Sequence, residues 1–378
     1  MYETIPLANP NLPLGMTFEL AKQLSLGKYT EMLECHWPTT NRHKIACSSG
    51  TVALAIAIRA AIDESCYLTH LLAKPDVICS AYTFGATVLA IRQAGFYPVF
   101  ADCNDMGLID FKDVYRILGE RRGLNVAAVV GTNAFGLPVD SCDVTEFRGR
   151  YPNIPVILDN AQGVGSFVGV VDGGRHPTIS EATAETFSMS PTKVVTASEG
   201  GMIAVNDRQI ARRCRSLRLY GRGYEGHTLE VDFQKGFSAR MSELCAQLGL
   251  YSLSNLQENM KIRREIYGVY NARLPMMPIE YTSRSVVHES GLNYAVTLLP
   301  EGVNVEYVIA AMKLMFIETR NYFLSYGGHG TPVADNLSVR SLALPLHTDM
   351  SPRHADYVAR SLKDILKDES HSSTDIVR

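Results

Sequence analysis

The chain has 378 residues, 36 basic against 39 acidic, with 46% hydrophobic and 20% charged side chains. That composition excludes a disordered or fibrous chain and provides a sizeable core, and a net charge of −3 offers no basic footprint for nucleic acid. No run approaches the roughly 20 apolar residues that cross a bilayer, and the opening MYETIPLANPNLP lacks the layout of a signal peptide. Eight scattered cysteines form no C-x-x-C pair, and the ten histidines form no H-x-x-x-H pair. The expectation is therefore a cytoplasmic protein without disulfides, metal site, membrane segment or nucleic-acid partner.

From about residue 44, short apolar runs alternate with helical text. KIACS (44–48), VICSAY (77–82), YPVFAD (97–102), VAAVVGTN (126–133), IPVILDN (154–160), ETFSMS (185–190) and GGMIAVND (200–207) read as strands. SGTVALAIAIRAAID reads as the first connecting helix, and a second runs through Ala94. Continuous apolar strands separated by helices predict an α/β fold, a mainly parallel sheet with helices on both faces. After about 240 the texture changes: SARMSELCAQLGLYSLSNLQENMKIRREIYGVYNARL predicts one long helix. Extended text around 292–299, a helix over about 304–315, the run IETRNYF (317–323), a strand and a final helix follow. Two domains are expected, a large α/β unit over 1–240 and a small α+β unit over 241–378. The polar close KDESHSSTDIVR is expected to fray.

Three motifs carry chemistry. SSGT (48–51) lies where a strand ends and a helix begins, where free N–H groups and the helix dipole suit an anion; an ordinary N-cap is the plain alternative. ILDNAQ (157–162) puts Asp159 at the carboxyl end of an apolar strand, the side of an open sheet where ligands bind, with Gln162 three residues on. A helix-capping Asp explains the same text. FSMSPTK (187–193) closes another strand with Lys193, followed by apolar VVTA and SEGG (198–201). A lone lysine is ordinarily a solvated charge, but an amine walled by apolar residues has a lowered pKa and attacks carbonyls. Together, a phosphate cradle, an acid for a ring nitrogen and a nucleophilic lysine are what pyridoxal 5'-phosphate requires.

The order of these motifs resembles the DegT/DnrJ/EryC1/StrS family, the sugar aminotransferases among the fold-type I pyridoxal phosphate enzymes. The resemblance runs from about 44 to 366 and includes SGTVAL (49–54), LDNAQGVGS (158–166), FSMSPTK, EGGMIAVND (199–207), RMSELCAQLGL (240–250) and SLALPLH (341–347). It implies that Lys193 is the Schiff-base lysine and Asp159 the partner of the pyridine nitrogen. By the same resemblance Gln162 lies beside the cofactor's 3-hydroxyl, Gly50, Thr51 and Ser188 contact its phosphate, and Phe84 stacks on its ring. Plain core packing is the other reading of Phe84.

The departures bear on substrate. Where the family has Gly-x-Asn-x-Arg-Met, with the asparagine reaching the neighbouring subunit's phosphate, this chain has GFSARM and Ser238. Ser190 and Ser198 stand where histidine and glycine are frequent, and residues 1–43 match poorly. Some relatives are dehydratases with histidine in place of the lysine; Lys193 favours transamination. The resemblance implies an amino group moved from glutamate or glutamine to a keto-sugar, nucleotide-linked, by a ping-pong mechanism. Amination of a cyclitol or other cyclic ketone, or a non-catalytic regulatory role, are the alternatives. A homodimer with shared active sites is implied as well, with the loop around Tyr220–Met241 as the lender.

Overall fold

Alternate residues of the apolar runs face opposite sides of one sheet, and this dictates a layered architecture. The computed structural model describes residues 4–7, 27–41, 43–62, 75–120, 125–170, 175–177, 181–225, 228–231, 236–284 and 286–375. Strands β1 (His43–Cys47), β2 (Asp76–Ser80), β3 (Tyr82–Thr83), β4 (Tyr97–Ala101), β5 (Val126–Thr132), β6 (Val156–Asp159), β7 (Phe167–Val170), β8 (Arg175–Pro177), β9 (Ala184–Ser188) and β10 (Gly201–Val205) come first. Seven of them form one sheet in the order β1-β10-β9-β6-β5-β2-β4. β4, β2, β5, β6 and β9 run parallel, and β10 runs antiparallel between β9 and the edge strand β1.

Helices α1 (Lys28–His36), α2 (Gly50–Ala61), α3 (Gly85–Gln93), α4 (Phe111–Glu120), α5 (Ser141–Arg150) and α6 (Arg208–Arg218) accompany these strands. Val77, Val130 and Ile157 pack with the buried stripe of α2 and with α6. Their neighbours Ile78, Val129 and Leu158 face the other way, against Val114 and Ile117 of α4 and Val144 and Phe147 of α5. Covering helices on both faces explain why these strands are apolar throughout.

The long helix expected after 240 is two helices, α7 (Glu243–Ser254) and α8 (Leu256–Asn271). Asn255 leaves helical geometry (φ −97°, ψ 4°), and its side-chain amide donates to the Tyr251 carbonyl at 2.9 Å. A short polar side chain that satisfies the backbone locally competes with helix continuation, and apolar periodicity does not register it. The last helix, Pro352–Asp375, runs on through most of the polar text expected to fray. Its amphipathic first half supplies the costly nucleus, and the rest adds by propagation. Strands β11 (Arg222–Glu225) and β12 (Thr228–Val231) pair antiparallel. A four-stranded sheet in the order β13 (Glu280–Ser283), β14 (Val286–Glu289), β7, β8 joins the two halves of the chain through the pairing of β14 with β7. No helix among the described residues is long and apolar enough to cross a membrane.

Candidate active site

The carboxyl ends of β5, β6 and β9 open into a cleft with about 330 Å³ of empty volume. Phe84, Thr132, Asn133, Asp159, Gln162 and Lys193 line it, with Phe323 from the C-terminal part. Asp159 is the last residue of β6 and only 8% exposed. Its Oδ2 accepts from Thr87 Oγ1 at 2.7 Å and its Oδ1 from the Ala161 amide at 3.1 Å. The second bond is an Asx turn, so the capping geometry is present within the cleft itself. Burial raises the pKa of Asp159, while the Thr87 hydroxyl, the Ala161 amide and the Lys193 charge pull it down.

Lys193 sits in a turn after β9, its amide donating to the Ser190 carbonyl at 3.0 Å. The following Val194, Val195, Thr196 and Ala197 are buried, which fixes the stem and leaves the amine in the cleft. Burial lowers its pKa, opposed by Tyr322 and Asp159. An amine so placed is neutral at a lower pH than a free lysine and is a competent nucleophile and proton carrier.

The anion cradle lies one strand away. Ser49 caps α2, accepting from the Val52 amide at 3.3 Å. A methyl group on Gly50 would stand 2.7 Å from Ser188 Cβ, so only glycine lets the start of α2 close onto the end of β9. Ser188 Oγ in turn accepts from the Ser190 amide at 3.4 Å, tying the cradle to the lysine turn. Gly50, Thr51 and Ser188 are thus one group at the helix start, adjoining the turn that carries Lys193 but not among the residues lining the cleft.

Phe84 stands at the start of α3, 50% exposed, with its ring 5.5 Å from that of Tyr322. Gln162 is buried, and its Oε1 has no hydrogen-bond partner. Ser238 does not reach this cleft: it is exposed and donates to Tyr220 Oη at 3.1 Å. Residues 226–227 and 232–235 of its loop lie outside the described residues.

The orphaned Gln162 oxygen, the glycine cradle and the carboxylate facing an amine suit a phosphorylated pyridine aldehyde: anion sites for phosphate, acid and amide for the ring's polar atoms, amine for the aldehyde. Sequence reasoning missed several supporting residues. Thr87 carries no pattern of its own. Asn133 had a signal, a polar residue ending an apolar strand as Asp159 does. Asn293 accepts from the Val194 amide at 3.2 Å, holding the lysine turn from the far side. The preceding Leu292 is in the left-handed region (φ 49°). Buried Arg263 holds this bend by donating to the carbonyls of Leu292 at 3.1 Å and Leu346 at 2.8 Å.

A family model described as the DegT/DnrJ/EryC1/StrS aminotransferase family matches residues 19–363. The chain belongs to the DegT/DnrJ/EryC1/StrS aminotransferase family. Among its relatives, the GDP-perosamine synthase of Escherichia coli O157:H7 is 27% identical over 360 residues, 91% of this chain and 92% of that one. A pleiotropic regulatory protein of Geobacillus stearothermophilus is 26% identical over 362 residues, covering 90% of each. The fold is that of DesI, whose structure was determined in the presence of its TDP-sugar product: TM-score 0.81, 24% identity, covering 100% of this chain and 97% of that one. Family membership makes this chain an aminotransferase of fold type I, and its large, mainly parallel sheet is that architecture.

Proposed function

We propose that the chain is a pyridoxal phosphate-dependent aminotransferase that moves an amino group from glutamate or glutamine to a keto-sugar, carried on a nucleotide. The observation that carries the reading is the meeting of Lys193, Asp159 and Gln162 in one cleft, with the Gly50–Ser188 cradle next to it. Pyridoxal phosphate, when bound, supplies an electron sink for the carbanion formed beside the transferred nitrogen. Gly50, Thr51 and Ser188 would hold the phosphate at the start of α2. Asp159 Oδ would keep a proton on the ring nitrogen, and Gln162 would orient the opposite edge. Phe84 would cover the ring face from the mouth. Lys193 Nζ would take a proton from one carbon and return it to the other, a role suited to an amine whose pKa burial lowers. The sugar-nucleotide substrate rests on relatives such as GDP-perosamine synthase. A cytoplasmic setting is supported by the described cysteines, all free thiols.

Half-reaction spectra with a panel of amino donors and keto-sugars test the reading. The purified protein should be yellow, bleach with glutamate or glutamine, and recover with a nucleotide-linked keto-sugar. Borohydride reduction should fix the cofactor's mass on the peptide carrying Lys193, and Lys193→Ala should abolish it. Recovery only with a cyclitol ketone would replace the substrate class. A protein that holds cofactor but never bleaches would favour the regulatory reading, for which the Geobacillus relative is the precedent.

A further inference from the structure

Three buried threonines connect Asp159 to the cleft by a second route. Thr83 ends β3, Thr87 lies in the first turn of α3, and Thr132 ends β5 directly opposite Asp159. Thr83 and Thr87 are fully buried, and Thr132 is 4% exposed and lines the cleft. Their hydroxyls are in line: Thr132 to Thr83 at 2.7 Å, Thr83 to Thr87 at 2.8 Å, and Thr87 to Asp159 Oδ2 at 2.7 Å.

The direction of this line is forced. A hydroxyl has one proton, and Thr87 spends its own on the carboxylate, which has none to give when ionised. The contact between Thr83 and Thr87 must therefore be donated by Thr83, and the next by Thr132. All three hydroxyls donate along the line towards Asp159, and Thr132, which lines the cleft, keeps lone pairs that no residue of the line uses. Such chains polarise each link in turn, so the terminal bond is stronger than an isolated one.

We propose that Thr132, Thr83 and Thr87 form a polarised relay that keeps Asp159 ionised in its buried site and presents Thr132 Oγ1 to the cleft as an acceptor for a ligand's N–H or O–H. These are positioning residues: they act on the reaction through Asp159, and the inference rests on the aminotransferase reading only for what Asp159 then does. The other donor to Asp159 is the Ala161 amide, on Oδ1. The neighbouring strands put neutral Thr132 and Thr186 opposite Asp159, and the charge acting on it is Lys193. Without the threonines, the buried carboxylate would lose the donated bond that opposes the effect of burial and would take up a proton more readily.

The test is the titration of Asp159 in full-length protein, with and without pyridoxal phosphate. It is followed by carbon NMR of labelled aspartate and assigned by difference from Asp159→Asn. The isosteric Thr87→Val should raise the proton affinity of Asp159 roughly ten-fold or more, as expected for losing a hydrogen bond to a charged group. Thr83→Val and Thr132→Val should raise it by successively smaller factors, and Thr132→Ser should restore the wild-type titration. Should Thr83→Val or Thr87→Val fail to fold, the Thr132 pair decides, since its side chain borders the cleft. A Thr132→Val titration identical to wild type, or a Thr132→Ser titration displaced as far as the valine variant, overturns the relay. Failure of the protein to bind pyridoxal phosphate would sink the aminotransferase reading and leave this titration unaffected.

Discussion

Asp159 and Lys193 each depend on the other for their charge. Burial raises the pKa of the acid and lowers that of the amine, and each is drawn back towards its ionised form by its partner. Removing the carboxylate leaves the amine with the burial effect less opposed. In Asp159→Asn, Lys193 should therefore be neutral at still lower pH, and its labelling by an amine-selective reagent should set in earlier as pH rises. The same variant should retain cofactor but lose at least about a hundred-fold in half-reaction rate, because a neutral amide cannot hold the ring nitrogen protonated. Near wild-type half-reaction kinetics would reduce Asp159 to a turn former for the Ala161 amide. The two residues were legible in the sequence because Asp159 ends an apolar strand and Lys193 follows the end of another, in the turn before an apolar stretch. Thr87, Asn293 and Arg263 were not, since their roles arise from contacts between segments distant in the chain, which leave no local pattern.

Strands were the most legible elements, for a physical reason. A strand covered on both faces must be apolar throughout, so β2, β5, β6 and β10 stand out of the text as blocks. Connections between helices were less legible: the stop at Asn255 is made by one side-chain amide inside an otherwise apolar periodicity. Helix α5 is started by a long-range contact instead. Its first amide, Ser141 N, donates to His288 Nε2 at 3.1 Å, and His288 belongs to β14 and is fully buried. That bond requires a neutral imidazole, and burial lowers the pKa of His288 although Asp140 nearby opposes the shift. The unfolded chain therefore binds the proton first as pH falls. Stability from this site is present above about pH 6.5, the unperturbed histidine value, and is lost progressively as pH drops towards the depressed folded value. His288→Gln keeps an acceptor for Ser141 without the titration. Its melting temperature should fall less than wild type between pH 7 and pH 5; parallel losses would show that His288 does not titrate on unfolding.

At the scale of the whole molecule, one wall of the cleft carries a half-exposed aromatic, Phe84. Phe84 is 50% exposed, and Leu324, on the strand Leu324–Ser325 that pairs with β3, is 55% exposed. Ser238 and Arg240 face solvent on the segment after α6, and the backbone of that segment is fixed by bridges to Leu219 and Cys47. An exposed polar segment and a half-exposed aromatic at the cleft are surfaces that a second copy in a two-fold arrangement would cover, each copy contributing to the other's site. We propose a homodimer in which Ser238 and Arg240 serve the partner's cleft. Ser238, already bonded to Tyr220 Oη, would then act together with that phenol. Subunits carrying Lys193→Ala and subunits carrying Arg240→Ala, each inactive alone, are the check. Mixed in equal amounts and allowed to exchange, half the dimers pair one of each, and one of their two sites is intact. About a quarter of the wild-type activity should return. Cofactor should also stabilise the dimer against dilution, because a ligand held by two chains favours their association. A mixture that stays inactive despite proven exchange, or a monomer that sediments as such and turns over at the full rate, ends the shared-site proposal.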